Sequence, residues 1–140
     1  MKKTLIICFV TVGLFAVTAL FLTDKHDKSK ATTSPETATY VSITPEEAKA
    51  IMDGDEGYII LDVRSADEYA QGHIPGAILI PHTEIGEKAG YVLGDKKQTV
   101  LVYCRSGRRS KIAAEELASM GYTDVREFGG IIDWPYEIEN

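Results

Sequence analysis

Cysteine is scarce in this chain. Two residues among 140, Cys8 and Cys104, exclude a disulfide-dense scaffold. They form no Cys-x-x-Cys, which argues against a thioredoxin-like dithiol. The three histidines, His26, His73 and His82, have no ligand spacing with Cys104, so no metal and no cofactor is expected. Positive charge is also in deficit: 15 Lys and Arg stand against 21 Asp and Glu, a net charge of −6. That balance argues against a nucleic-acid partner. Internal repeats are lacking. What is present, 44% hydrophobic, 26% charged and 9% aromatic residues, excludes disordered, collagen-like and low-complexity chains. The length suits one domain with residues to spare.

The spare residues are at the front. Leu5 to Leu22 carries no charge and follows Lys2 and Lys3. Residues 1–22 therefore read as a signal peptide, with a cut after Ala19, or as an uncleaved membrane anchor. Eighteen residues at about 1.5 Å each span roughly 27 Å, just enough for the hydrocarbon core. A signal's apolar stretch is usually shorter, which favours the anchor. Either reading places the remainder outside the cytoplasm, tethered with the N-terminus inside or released as a periplasmic or secreted protein. Cys8 has Ile7 before it and reads as apolar filler. Residues 23–39, rich in Ser, Thr, Lys and Asp, read as a flexible linker that cannot offset its ordering entropy. Residues 1–30 carry net +3 and the rest net −9, so the folded part is acidic.

Residues 40–140 read as one α/β domain. Tyr40–Ile43 alternates as a strand. Thr44-Pro45-Glu46-Glu47 opens a helix with a capping box and proline at its first position; Ala48, Ile51 and Met52 form its apolar face. Tyr58–Leu61 is a buried strand. Ser65–Glu68 is a second capping box. Ala77–Ile80 is another strand, fenced by prolines. A weak helix is expected near Glu84–Ala89. Thr99–Tyr103, the most hydrophobic strand, is expected at the centre. Ser110–Met120 is a helix with Ile112, Ala113, Leu117 and Met120 inward, stopped by Gly121. Val125–Phe128 is the last strand, followed by a helical turn near Trp134. This alternation predicts a mostly parallel sheet flanked by helices.

The central strand delivers Cys104 into Cys104-Arg105-Ser106-Gly107-Arg108-Arg109 and then a helix. Ligands of open α/β sheets bind beyond the carboxyl ends of the strands. A short loop closing there on a helix N-terminus aims backbone N–H groups at one spot, an anion cradle. Gly107 supplies the conformation other residues resist. Arg105, Arg108, Arg109 and Lys111 place four cations in an acidic domain. A thiol in such a setting falls from about 8.5 to about 3.5–7.5. Cys104 is thus a candidate nucleophile that holds an anionic substrate. As a small buried hydrophobe, the commonest role of a free cysteine, it would need no basic loop.

These residues, with Leu61-Asp62-Val63-Arg64, Glu68-Tyr69, Gly72-His73-Ile74-Pro75-Gly76-Ala77 and Gly129-Gly130 before Trp134, resemble the single-domain rhodanese family. The resemblance covers about residues 41–136. It implies the rhodanese-like fold, a five-stranded mostly parallel sheet between helices. It implies sulfurtransferase chemistry, in which Cys104 takes sulfane sulfur as a persulfide and passes it to cyanide or a thiol. Arg105, Ser106, Gly107, Arg108 and Arg109 match the family's substrate-binding loop. Arg105 directly after the cysteine resembles the type that uses thiosulfate, a small anionic sulfur donor. Related phosphatases have a loop one residue longer, with arginine where this chain has Ser110. Leu79 departs from the asparagine often found before the Ile-Pro of the third strand. The short stretch after Trp134 implies a clipped last helix.

Other motif residues have structural readings beside the functional ones. Asp62 and Arg64 are supporting candidates: Asp62 orients loop amides or Arg64, and Arg64 pairs with Asp62 or Glu68. His73 reads as a hydrogen-bonded turn residue, Trp134 as packing and Lys111 as either a solvated helix residue or a ligand. The expected protein is an extracytoplasmic thiosulfate sulfurtransferase, with a non-enzymatic persulfide carrier at the membrane as the rival. Its membrane contact would run through residues 5–22 if they are uncleaved.

Overall fold

In the computed structural model, residues 39–54 and 57–140 are described. The signal or anchor expected at 1–22 lies outside them, as does the expected linker at 23–39 apart from its last residue. Among the described residues no helix is long and apolar enough to cross a membrane.

The elements run β1 (Val41–Ser42), α1 (Pro45–Gly54), β2 (Tyr58–Asp62), α2 (Ala66–Ala70), β3 (Ile78–Leu79), α3 (Ile85–Val92), β4 (Thr99–Cys104), α4 (Arg108–Ser119) and β5 (Val125–Gly130). They form one five-stranded sheet of order β1-β5-β4-β2-β3. All four pairings are parallel. The fold is the expected α/β sheet with helices, and β4 is central.

Period-two alternation sorts the core into two layers. Val100, Val102 and Cys104 of β4 pack with Ala113, Ala114 and Leu117 of α4 and Ile85 and Ala89 of α3. Leu101 and Tyr103 face the other way, onto Ala48, Ile74, Phe128 and Trp134. The site cysteine therefore faces α4. At its level the pairing with β5 shifts register: Val102 faces Glu127, but Cys104 faces Gly130.

Both capping boxes form. The Thr44 hydroxyl accepts from Glu47 N at 3.2 Å while Thr44 N donates to the Glu47 carboxylate at 2.8 Å. Ser65 and Glu68 repeat the exchange. Four expectations need correction. β3 is only Ile78–Leu79, because the proline-bounded segment pairs on one side alone, with β2. The weak helix is a 3-10 turn at His82–Glu84 running into two turns of α3. Helix α4 starts at Arg108, not Ser110. Ile112 is 44% exposed, since the buried stripe is Ser110, Ala113, Ala114, Leu117 and Ala118, an i, i+3, i+4, i+7, i+8 set that passes it by.

After Trp134 the described residues form no further helix. Instead Glu139 pairs antiparallel with His73, each N–H donating to the other's carbonyl at 2.8 Å.

Candidate active site

β4 ends in Cys104, 1% exposed. The chain then turns through Arg105 and Ser106 to Gly107, whose φ of +94° is the left-handed conformation that favours glycine. That turn aims amides inward, and Gly107 N donates to Cys104 Sγ at 3.1 Å. Gly130 supports the loop from below. A Cβ there would lie 2.2 Å from Arg105 O, so the backbones touch where only glycine fits.

The thiol meets opposed influences. Burial pushes it up, and the hydrogen-bonding surroundings, the Ser110 side chain and the N–H groups of Ser110, Ser106 and Gly107, pull it down. The net position is below the ordinary value. Three amides converging on a single sulfur are the cradle expected of this loop.

The basic residues divide. Arg105 and Arg108 are exposed around the cradle. Arg109, in the first turn of α4, makes two parallel bonds to Glu68, at 2.7 and 2.8 Å, and also interacts with Cys104. Arg64 is drawn to Asp62, not Glu68. Its guanidinium donates to the carboxylate at 2.6–3.0 Å and to Gly72 O at 2.7 Å. Asp62 also accepts from Arg64 N at 2.9 Å. This pair is buried and braces the ends of β2 and the 72–76 turn. His73 stacks on Tyr69 with ring centroids 3.7 Å apart, and its Nδ1 lies 3.1 Å from Tyr69 O. Trp134 packs in the second core layer. Lys111 is exposed and lines a cavity of about 320 Å³ beside Ser106, Gly107 and Glu127.

Two residues of the site were not among those expected. The Ser110 hydroxyl lies 3.5 Å from Cys104 Sγ and 2.6 Å from Glu127 Oε1. Glu127, 2% exposed, was read only as part of a strand. The signal was present: alternation puts Glu127 on the same sheet face as Val125, the face covered by α4.

The fold and the loop define an α/β domain with a cradled cysteine at the carboxyl edge of its parallel sheet. The rhodanese-like domain family matches residues 44–135, and the chain belongs to that family. It is 47% identical over 73 residues to "Thiosulfate sulfurtransferase PspE" of Escherichia coli, covering 52% of this chain and 70% of that protein. It is 34% identical over 116 residues to "Putative sulfur carrier protein YrkF" of Bacillus subtilis, covering 82% of this chain and 58% of that protein. A solved structure, "rhodanese with anions from E. coli", superposes with a TM-score of 0.57 at 41% identity, over 59% of this chain and 98% of that one. The names of these relatives include a thiosulfate sulfurtransferase and a putative sulfur carrier.

Proposed function

We propose that the domain is a thiosulfate sulfurtransferase with Cys104 as its nucleophile. The observation that carries this reading is the convergence of loop amides on a buried sulfur whose thiol is held below its ordinary value. The Cys104 thiolate attacks the outer sulfur of thiosulfate. A Cys–S–S bond forms, the bond to the sulfonate breaks, and sulfite leaves with the electron pair. The persulfide stays in the cradle. Cyanide or a thiolate acceptor then attacks the outer sulfur, and the Cys104 thiolate departs. Arg105 and Arg108 attract the anionic donor, while Ser106 and Gly107 present amides. Arg109, tied to Glu68, contributes a fixed positive charge near the sulfur. Asp62 and Arg64 support the scaffold. The name and 47% identity of the Escherichia coli relative support thiosulfate as donor. Thiocyanate formation from thiosulfate and cyanide by the full chain tests it. Turnover that survives Cys104→Ser contradicts it.

A second reading, a persulfide carrier, is favoured by the similarity to the Bacillus subtilis protein. A stable persulfide with negligible turnover on free small molecules distinguishes it. We further propose an extracytoplasmic site of action, supported by the uncharged run Leu5–Leu22. The intact mass of the mature protein from its native host tests this and decides between cleavage and anchoring.

A further inference from the structure

Glu127 is a carboxylate sealed into the α4 side of the sheet. Among the described residues it forms no salt bridge. Oε2 accepts from the Ser42 hydroxyl of β1 at 3.3 Å, and Oε1 accepts from Gly129 N at 2.9 Å and from the Ser110 hydroxyl at 2.6 Å. A buried carboxylate without a cation is costly.

The Ser110 hydroxyl is the crux. Its oxygen is 2.6 Å from Glu127 Oε1, 3.0 Å from Gly107 O, 3.3 Å from Gly129 O and 3.5 Å from Cys104 Sγ. A hydroxyl carries one proton and can donate to one acceptor at a time. Ionised Glu127, closest and charged, takes that proton. Ser110 then turns lone pairs toward the sulfur, an arrangement that suits a thiol donating to Ser110 and disfavours a thiolate. With Glu127 neutral, the hydroxyl is free to turn and donate to the sulfur. Two buried negative charges bridged by one hydroxyl also repel each other.

We propose that Glu127 is a positioning residue for the nucleophile, holding the single proton of Ser110 away from Cys104 and so coupling the charge states of the two groups. The inference rests on Cys104 being the reactive thiol. The groups facing Glu127 are Ser42 on β1, Ser110 on α4 and the Gly129 amide, with Lys111 and Asp133 lining the adjoining cavity. None replaces Ser110 as the bridge to sulfur.

The test is the pH dependence of iodoacetamide alkylation of Cys104, read on its own peptide by mass spectrometry in the full chain. It reports thiolate directly, so it stands apart from failure of sulfur transfer. Glu127→Gln is expected to shift the profile to lower pH, with alkylation on the acid limb roughly three- to tenfold faster, half to one pKa unit. Ser110→Ala, which removes the oxygen that accepts from the thiol, is expected not to shift it upward and to diminish the effect of adding Glu127→Gln. Ser110→Ala supplies an independent reading if Glu127→Gln fails to fold. An unmoved or upward-shifted Glu127→Gln profile, an upward-shifted Ser110→Ala profile, or an equal Glu127→Gln shift without the Ser110 hydroxyl would each overturn the proposal.

Discussion

Arg109 clasps Glu68 through two parallel hydrogen bonds, Nη1 to Oε2 at 2.7 Å and Nη2 to Oε1 at 2.8 Å. The pair joins the first turn of α4 to α2, and the same carboxylate completes the capping box with Ser65. An arginine of the basic loop is thereby fixed by a bidentate partner.

This pair has a pH signature. Chiefly through Arg109, the Glu68 carboxyl is lowered from 4.5 to about 2. A depressed carboxyl stabilises the fold above its unfolded pKa, and that contribution disappears as pH falls through the folded value. Denaturant midpoints should therefore decline between about pH 4.5 and pH 2. Glu68→Gln should flatten that decline and cost on the order of 1–2 kcal/mol at neutral pH, a figure discounted for the pair's partial exposure. An unchanged acid profile in the variant would show that the pair contributes nothing.

Asp62 and Arg64 should behave as bracing. Asp62→Ala leaves a buried guanidinium without its carboxylate, which costs about 3–5 kcal/mol. Sulfur transfer per folded molecule should persist, because neither side chain touches Cys104 Sγ. Chemical denaturation together with turnover corrected for the folded fraction checks both halves.

Gly130→Ala should separate activity from folding. Its backbone is ordinary, with φ −127°, so the obstacle is contact: the new Cβ would meet Arg105 O at 2.2 Å and Ser106 Cα at 2.5 Å. The loop must move, and an ångström of displacement in a reacting geometry costs about a hundredfold. A large fall in thiocyanate formation with a modest change in melting temperature is the expected result.

Much of this was readable in the residues. The capping boxes at Thr44 and Ser65, the apolar run of β4 and the loop after Cys104 are local signals, and local physics decides them. Ile112 was misread because an apolar residue beside a helical stripe looks like part of it until the true phase, set by Ser110 and Ala114, is known. The partners of Arg64 and Arg109 could not be read either. Asp62 and Glu68 are both near Arg64 in sequence, and only the approach of Arg109 to Glu68 across the fold assigns one to each. Glu127 was missed because a charge in a short strand reads as solvent-facing until α4 is placed over it.

The corrected phase of α4 has its own consequence. Ile112→Lys should change stability by no more than about 0.5 kcal/mol, as at ordinary surface positions. Leu117→Ala, in the same helix but fully buried, should cost about 2–5 kcal/mol. Equal effects in thermal denaturation would contradict the assigned face.

The most direct measurement is peptide mass spectrometry of the full chain after exposure to thiosulfate, followed by cyanide. Cys104 should gain one sulfur, about 32 Da, as sulfite is released, and cyanide should remove it as thiocyanate. Cys104→Ser should do neither. Sulfur carried on another residue, or thiocyanate formed by the Cys104→Ser protein, would contradict Cys104 as the sulfur carrier.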